Sequence, residues 1–223
     1  MGFTGFFRVL VFTVLLGSIT GAGAEAAGVL AGRVEIRSKN QQPLGDNSGV
    51  VVYLKEVNGN KGFAAMKGKP SMASENMKFA PAILPILVGT SVVFPNKDDT
   101  IHNVFSASDA KKFDFGRYGY GEENSIRFDK PGVVNIYCKI HPLMAGTILV
   151  LENPFFAATD EQGRYSITGI PPGSYQAVCW FPYGEAQVKQ VELSGDSKTE
   201  ADFSLVKLRN ANPRKKPAEK MKP

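Results

Sequence analysis

The chain has 223 residues, of which 43% are hydrophobic and 23 are glycine. This length accommodates two domains of roughly 100 residues each, and the composition is typical of a globular, turn-rich β protein. The net charge is +5, but residues 207–223 contain seven basic residues and one acidic residue. The basic excess therefore belongs to the C-terminal tail and does not indicate a nucleic-acid-binding face on the body of the chain.

The two ends of the chain are predicted to lie outside the fold. Residues 1–24 have the pattern of a secretory signal peptide, because Arg8 is the only charge, residues 9–16 are apolar and Ala22-Gly23-Ala24 offers a cleavage site. We therefore expect export to the periplasm. No later run approaches the roughly 20 apolar residues of a transmembrane helix. Residues 209–223 are predicted to be a disordered basic tail, which is either simply solvated or contacts an anionic surface.

The first predicted strands precede a connector. Val34 and Ile36 alternate with charged residues and predict a half-buried strand over 31–37. Residues 50–57 predict a second strand, and the glycine- and lysine-rich stretch 58–69 reads as the connector.

The middle of the chain, residues 71–151, predicts a further set of short strands. Residues 77–79, 82–88, 91–94 and 125–128 are strand segments separated by turn residues, whereas 106–123 is a polar, glycine-rich excursion with room for one helical turn. In residues 133–138 the period of two places Val134, Ile136 and Cys138 on one face, so Cys138 points inward at the end of a core strand. The continuous apolar strand 147–151 is expected if a second layer covers its outer face.

Two loops contain the residues on which we expect chemistry. Cys138, His141 and Met144 follow one another in the order Cys-x2-His-x2-Met, and a second imidazole lies upstream at His102. Two histidines and a cysteine in a plane with a distant axial methionine form the ligand set of an electron-transferring mononuclear copper site. Thiolate and thioether sulfur hold Cu(I), and imidazole suits both oxidation states. The sequence therefore predicts one type 1 copper ion.

The only other cysteine, Cys179, leaves an alternative open. In an exported protein two cysteines can form a single disulfide, which would remove Cys138 from a metal site. Cys179 alternates with Tyr175 and Ala177 in a different predicted domain, and this pattern favours a buried core thiol.

The residues around these ligands resemble the cupredoxins over about residues 71–151, and the short ligand loop is most similar to that of the amicyanins. The matching positions are Asn96, His102-Asn103-Val104, Pro131-Gly132, Tyr137-Cys138, His141-Pro142, Met144 and Gly146. The resemblance implies a Greek-key β-sandwich with His102, Cys138, His141 and Met144 as copper ligands. It also implies that Asn103 supports the site from behind the ligands and ties the two ligand loops together.

A second resemblance covers the flanking residues. Residues 159–175, with their closely spaced glycines and prolines, resemble the carboxypeptidase-regulatory-like, transthyretin-like β-sandwich. The first strands of that family have counterparts at 32–34, 43–44 and 50–52. We therefore expect one sandwich built from 28–60 and 153–208 and interrupted by the cupredoxin; three consecutive units are the alternative. The whole order resembles exported proteins named as methylamine-utilisation or cupredoxin-domain proteins.

The histidine count narrows the function. His102 and His141 are the only histidines, so none remains for the second copper of a multicopper oxidase or copper nitrite reductase. We expect an electron carrier that is not itself an enzyme and that meets unknown redox partner proteins. The alternatives are a copper-binding or copper-delivery protein without redox cycling, and a structural protein in which the site is incidental.

The resemblance also implies an apolar docking surface around His141. Its predicted members are Pro95, Pro142, Leu143 and Ala145. Apolar surface lets a redox partner approach closely without desolvating charges, and small weak interfaces suit brief encounters. In the alternative, Leu143 is buried against the second domain of the same chain and this route is closed.

Overall fold

The computed structural model describes Met1 and residues 27–60, 62–195 and 197–208. Apart from Met1, the predicted signal peptide and the predicted tail lie outside these residues. No helix within the described part of the chain is long and apolar enough to cross a bilayer.

The fold is all-β, as predicted. The described strands are β1 (Gly28–Arg37), β2 (Val51–Leu54), β3 (Ala73–Glu75), β4 (Lys78–Ala80), β5 (Ile83–Leu87), β6 (Thr90–Pro95), β7 (Val104–Ser108), β8 (Lys111–Asp114), β9 (Glu123–Phe128), β10 (Gly132–Cys138), β11 (Ala145–Leu151), β12 (Phe156–Ala158), β13 (Arg164–Ile170), β14 (Gly173–Trp180), β15 (Gln187–Leu193), β16 (Lys198–Glu200) and β17 (Phe203–Val206). A 3-10 turn, Asn58–Asn60, follows β2.

Strands β3 to β11 form one group. The largest sheet in this group has the order β5-β11-β10-β7-β8, and the pairs β6–β9 and β3–β4 accompany it. Between them lies a core that includes Phe94, Phe128, Ile136 and Met144. In this group β10 is central: it pairs with β11 up to the contact Tyr137↔Ala145, and its last residue, Cys138, pairs with Val104 of β7. The end of β10 therefore meets the beginning of β7.

The strands on either side of this group pair with each other. Strand β1 lies between β13 and the parallel strands β16 and β17, and β2 lies between β12 and β14 in the sheet β12-β2-β14-β15. A separate core fills the space between these two sheets, with Leu30, Val52 and Ile167 among its members. The pairing brings residues before 60 together with residues after 153. Whether each group folds by itself stays a prediction, as does the resemblance of the flanking strands to a transthyretin-like sandwich.

A third apolar cluster joins the two groups. Leu149 and Leu151 on β11 pack against Val51 on β2 and against Val178 and Trp180 on β14. The side chain of Trp180 is 6% exposed and that of Leu149 is 3% exposed. This seam explains why β11 is apolar on both faces: one face lies on its own core, and the other is covered by the second pair of sheets.

The expectation for residues 106–123 was wrong in part. Instead of an excursion with a helical turn, β7 continues to Ser108 and forms a hairpin with β8. The sequence of β8 shows no clear alternation of apolar and polar residues, because one face of this strand is only partly buried and the other is exposed. Phe113 lies on the partly buried face and packs against Phe94, with 5.8 Å between the centroids of the two rings. Aromatic packing therefore fixes the strand where its polar residues suggested a loop.

Candidate metal centre

Cys138 reaches the site because it ends a core strand. Val134, Ile136 and Cys138 are buried at alternating positions of β10, as the period of two predicted. Cys138 is 5% exposed. Its backbone N–H donates to the carbonyl of Met144 at 3.4 Å. The two ends of the loop that follows Cys138 therefore lie close together.

His102 lies in the loop between β6 and β7, two residues before β7 begins. Its backbone exchanges two hydrogen bonds with Tyr118, at 3.1 Å and 3.0 Å, so the loop is held against a neighbouring segment. The imidazole is completely buried. His102 has little freedom to turn, because its N–H and carbonyl are both hydrogen-bonded and its ring is buried.

The loop between β10 and β11 supplies the remaining predicted ligands. The N–H of Met144 donates to the carbonyl of His141 at 3.0 Å, and the N–H of Lys139 donates to the carbonyl of Asn103 at 3.0 Å. The first bond closes the loop on itself, and the second joins it to the His102 loop. Met144 is 1% exposed and belongs to the same core cluster as Cys138. Its place as the axial ligand stays a prediction.

The structure brings three of the predicted ligands together. His102 Nδ1 and His141 Nδ1 lie 3.0 Å apart, and Cys138 Sγ lies 3.8 Å from the first and 3.7 Å from the second. A point equidistant from three atoms at these separations lies roughly 2 Å from each, close to the ~2.0–2.3 Å at which imidazole nitrogen and thiolate sulfur bind a first-row ion such as zinc. The residues present therefore fit a small metal ion, and their softness favours copper.

The protonation of His141 suits a ligand. The pKa of His141 is lowered, mainly by partial burial and to a smaller extent by repulsion from His102. The Asp98 carboxylate has a smaller effect that raises this pKa. A lowered pKa keeps the imidazole neutral near pH 7. Neutral imidazole is the form that binds a metal.

Sequence reasoning missed Asp98. Its Oδ2 lies 2.9 Å from His102 Nε2, on the side of the ring opposite to Cys138. Burial would raise the pKa of Asp98, but hydrogen bonds from Met77, His102 and Asn76 outweigh it and hold this pKa below its usual value. An ionised carboxylate only accepts hydrogen bonds, so the contact to Asp98 favours the tautomer of His102 with the proton on Nε2 and with Nδ1 toward the site. An acidic residue four positions before the histidine was the signal in the sequence.

Asn103 contacts both ligand loops, through its side chain and through its backbone. Its Nδ2 donates to Asp114 Oδ1 at 2.9 Å, and Asp114 Oδ2 accepts from Lys139 Nζ. The hydrogen bonds from Lys139, Gly116 and Asn103 hold the pKa of Asp114 at about 2. The side-chain link between the two loops therefore runs through Asp114, on β8. The direct link is made by the backbones of Asn103 and Lys139.

The predicted docking residues differ in exposure. Leu143 is 88% exposed, so it is not covered by the second pair of sheets and the alternative for this residue is wrong. Pro142 is exposed, and Pro95 and Ala145 are half-buried. His141 is also half-buried and is the only one of the three clustered donors that reaches the surface. Exposed apolar residues therefore adjoin the outer edge of the site.

Both cysteines are free thiols in the structure. Cys179 belongs to the core between the flanking sheets, whereas Cys138 belongs to the core of the β3–β11 group. Burial raises the pKa of Cys179 to about 12, against a smaller opposite effect of Lys189. Cys179 is thus a buried core thiol.

Comparison with known protein families gives a match for the middle of the chain. Residues 66–151 match the family of copper binding proteins described as the plastocyanin/azurin family. No curated protein sequence matches the chain.

Solved structures with similarity include a copper-containing nitrite reductase of Thermus scotoductus, which is 31% identical over 42% of this chain and 24% of that protein, with a TM-score of 0.37. The chain thus spans about a quarter of that enzyme's length. A purple cupredoxin of Nitrosopumilus maritimus is 26% identical over 37% of this chain and 99% of that protein, with a TM-score of 0.33. A reduced tryptophan-to-tyrosine variant of amicyanin is 20% identical over 46% of this chain and 98% of that protein, with a TM-score of 0.36.

The family description and the donor set agree on the cofactor. Copper is the metal that the matched family binds, and a His-Cys-His cluster stands within the matched residues. Residues 66–151 therefore match the copper-binding plastocyanin/azurin family, and their His-Cys-His donor set fits the copper ion that this family binds.

Proposed function

We propose that the chain is an exported type 1 copper protein that transfers single electrons between redox partner proteins. The observation that carries this proposal is the convergence of one thiolate and two imidazole donors in a site of which only His141 reaches the surface. Export is supported by the signal-like pattern of residues 1–24.

The chain's own residues have two tasks in this proposal. His102, Cys138 and His141 would hold copper, with Met144 as a weak fourth donor, and bound copper supplies the one-electron couple. The first task is to keep the donors in place, which the hydrogen bonds of both ligand loops support. The second task is to exclude water from Cys138, which is 5% exposed. A fixed, dry site keeps the rearrangement that accompanies one-electron transfer small.

The test is the visible and EPR spectrum of the mature protein with Cu(II) added. We expect strong charge-transfer absorption and a narrow copper hyperfine splitting, because a short thiolate bond delocalises the unpaired spin. Cys138→Ser should abolish the colour, whereas the matched control Cys179→Ser should keep it. Colour that persists in Cys138→Ser, or a Cys138–Cys179 disulfide found by mass mapping, contradicts the proposal.

Copper delivery is the second candidate, favoured by the same soft sulfur donors. The two functions differ in what happens after copper binds. An electron carrier cycles reversibly between Cu(II) and Cu(I) with fast self-exchange. A delivery protein loses copper in one direction to an acceptor. Measuring electron self-exchange and copper transfer to a chelating acceptor on the same sample decides between them.

A further inference from the structure

The carboxylate of Asp98 is fixed on both oxygens. Oδ1 accepts the backbone N–H of Asn76 at 2.6 Å, and Oδ2 accepts the N–H of Met77 at 3.0 Å and lies 2.9 Å from His102 Nε2. Asn76 and Met77 form the turn between β3 and β4, and both have a left-handed backbone, with φ of 54° and 58°. This conformation is uncommon for residues other than glycine, and it directs two N–H groups at one carboxylate.

The backbone of Asp98 is fixed as well. Its N–H donates to Asn96 Oδ1 at 2.9 Å, and Asn96 Nδ2 donates to the carbonyls of Thr100 at 2.7 Å and Tyr118 at 3.2 Å. Asn96 is 1% exposed. The loop from β6 to His102 is therefore held from inside by one buried amide, and the side chain of Asp98 is held from outside by the β3–β4 turn.

We propose that Asp98 is a positioning residue that holds His102 with Nδ1 toward Cys138 and that lowers the reduction potential of the site. The inference rests on the proposed copper function. A carboxylate behind a ligand histidine fixes its tautomer and orientation and makes the ring a stronger donor. The Asp98 side chain is 12% exposed, so water screens its charge only in part. A nearby negative charge stabilises Cu(II) more than Cu(I), and a lower potential follows.

The first experiment measures the reduction potential of three proteins loaded with copper: the wild type, Asp98→Asn and the matched control Asp99→Asn. Asp99 is an exposed neighbour in the same loop, so the control removes the same charge without removing the contact to His102. We expect Asp98→Asn to weaken Cu(II) binding at least about tenfold more than Cu(I) binding, which raises a one-electron potential by about 59 mV. Equal shifts in the two variants would overturn the proposal.

The second experiment needs no copper. Nitrogen-15 NMR of the metal-free protein reports which nitrogen of His102 carries the proton. We expect protonated Nε2 in the wild type and in Asp98→Glu, and a mixture of tautomers in Asp98→Ala. A merely loosened β3–β4 turn would leave the tautomer unchanged. An unchanged tautomer in Asp98→Ala would therefore refute the positioning role.

The two experiments separate this inference from the proposed function. If the wild type binds no copper or lacks the charge-transfer band, the proposed function fails, and the tautomer of His102 still decides whether Asp98 positions the ring. If the wild type shows the band and Asp98→Asn has an unchanged potential, the proposed function stands and the inference about Asp98 fails.

Discussion

At the residue scale, the site depends on neighbours that are not ligands. His102 Nε2 meets Asp98, and Asn103 and Lys139 meet Asp114. Asp98 lies four residues before His102, whereas Asp114 is brought to Lys139 from 25 residues away. Ligand residues explain which metal binds, whereas their neighbours set how firmly each donor is held.

Met144 provides the first prediction at this scale. Met144→Leu should retain copper and colour but raise the reduction potential, because loss of a weak axial donor disfavours Cu(II) more than Cu(I). A potentiometric titration of the copper-loaded variant measures the shift. Complete loss of copper would mean that Met144 is a strong ligand, contrary to the axial assignment.

Asp114 provides a pH-dependent prediction. Its pKa of about 2 in the folded protein lies below the ~3.9 of an unfolded aspartate. The carboxylate therefore contributes stability that is complete above about pH 4 and is lost as the pH falls toward 2. We expect Asp114→Asn to be less stable than the wild type at pH 6, by less than about 1 kcal/mol because the side chain is 42% exposed and screened by water. The deficit should shrink between pH 4 and pH 2.

Urea unfolding at several pH values measures this effect. The matched control is Asp109→Asn, whose carboxylate is 84% exposed in a surface ion pair with Lys112. The control should show almost no change. A deficit of Asp114→Asn that does not vary with pH would contradict the assignment to ionisation of Asp114.

At the element scale, the short connection between β10 and β11 decides which side chains reach the surface beside the site. Strand β10 ends at Cys138 and β11 begins at Ala145, so the loop between them has six residues and carries two of the predicted ligands. This length leaves Leu143 outside, 88% exposed, while Met144 turns inward at 1% exposed. Adjacent residues thus face the solvent and the core in turn.

Leu143→Glu tests this surface. The variant should keep its spectrum, because Leu143 does not contact the core, but electron self-exchange should slow. High salt should not restore the rate, since salt removes only long-range repulsion, which is screened over about 10 Å at 0.1 M. Stopped-flow or NMR line-broadening measures the rate. Val188→Glu, at a 56% exposed position on β15, is the matched control, and an unaltered rate in Leu143→Glu would place electron exit elsewhere.

At the scale of the whole molecule, the copper-binding group and the flanking sheets share the seam that contains Leu149, Leu151 and Trp180. The flanking strands β13 and β14 also need β1 and β2 as neighbours. A piece that lacks the N-terminal strands therefore has open strand edges. The copper-binding group, in contrast, has its own core.

Separate expression tests this organisation. Residues 71–151 alone should fold and bind copper, because a domain has its own core, whereas 153–208 alone should be unstable. Circular dichroism and copper titration measure the first outcome. Thermal unfolding of the 153–208 fragment, followed by circular dichroism, measures the second, because an unstable fragment shows no cooperative transition. A stable 153–208 fragment would favour three units in series.

The sequence by itself determined the all-β class, the metal and the residues expected to bind it. Cys138, His141 and Met144 lie within seven residues, so their spacing is visible in a single stretch of chain, and two sulfur donors together with imidazole favour copper. The period of two also oriented Cys138 correctly, because a strand alternates its faces regardless of its partners.

Only the tertiary structure decided the contacts of Asp98 and Asp114, the hairpin of β7 and β8, and the exposure of Leu143. The anchoring of Asp98 and the packing of β8 depend on segments that are distant in sequence: the β3–β4 turn meets the loop before His102, and Phe94 meets Phe113. A local pattern records which face of a strand is apolar. It does not record which other segment will supply the hydrogen-bond partner, because that choice is made by the packing of the whole chain.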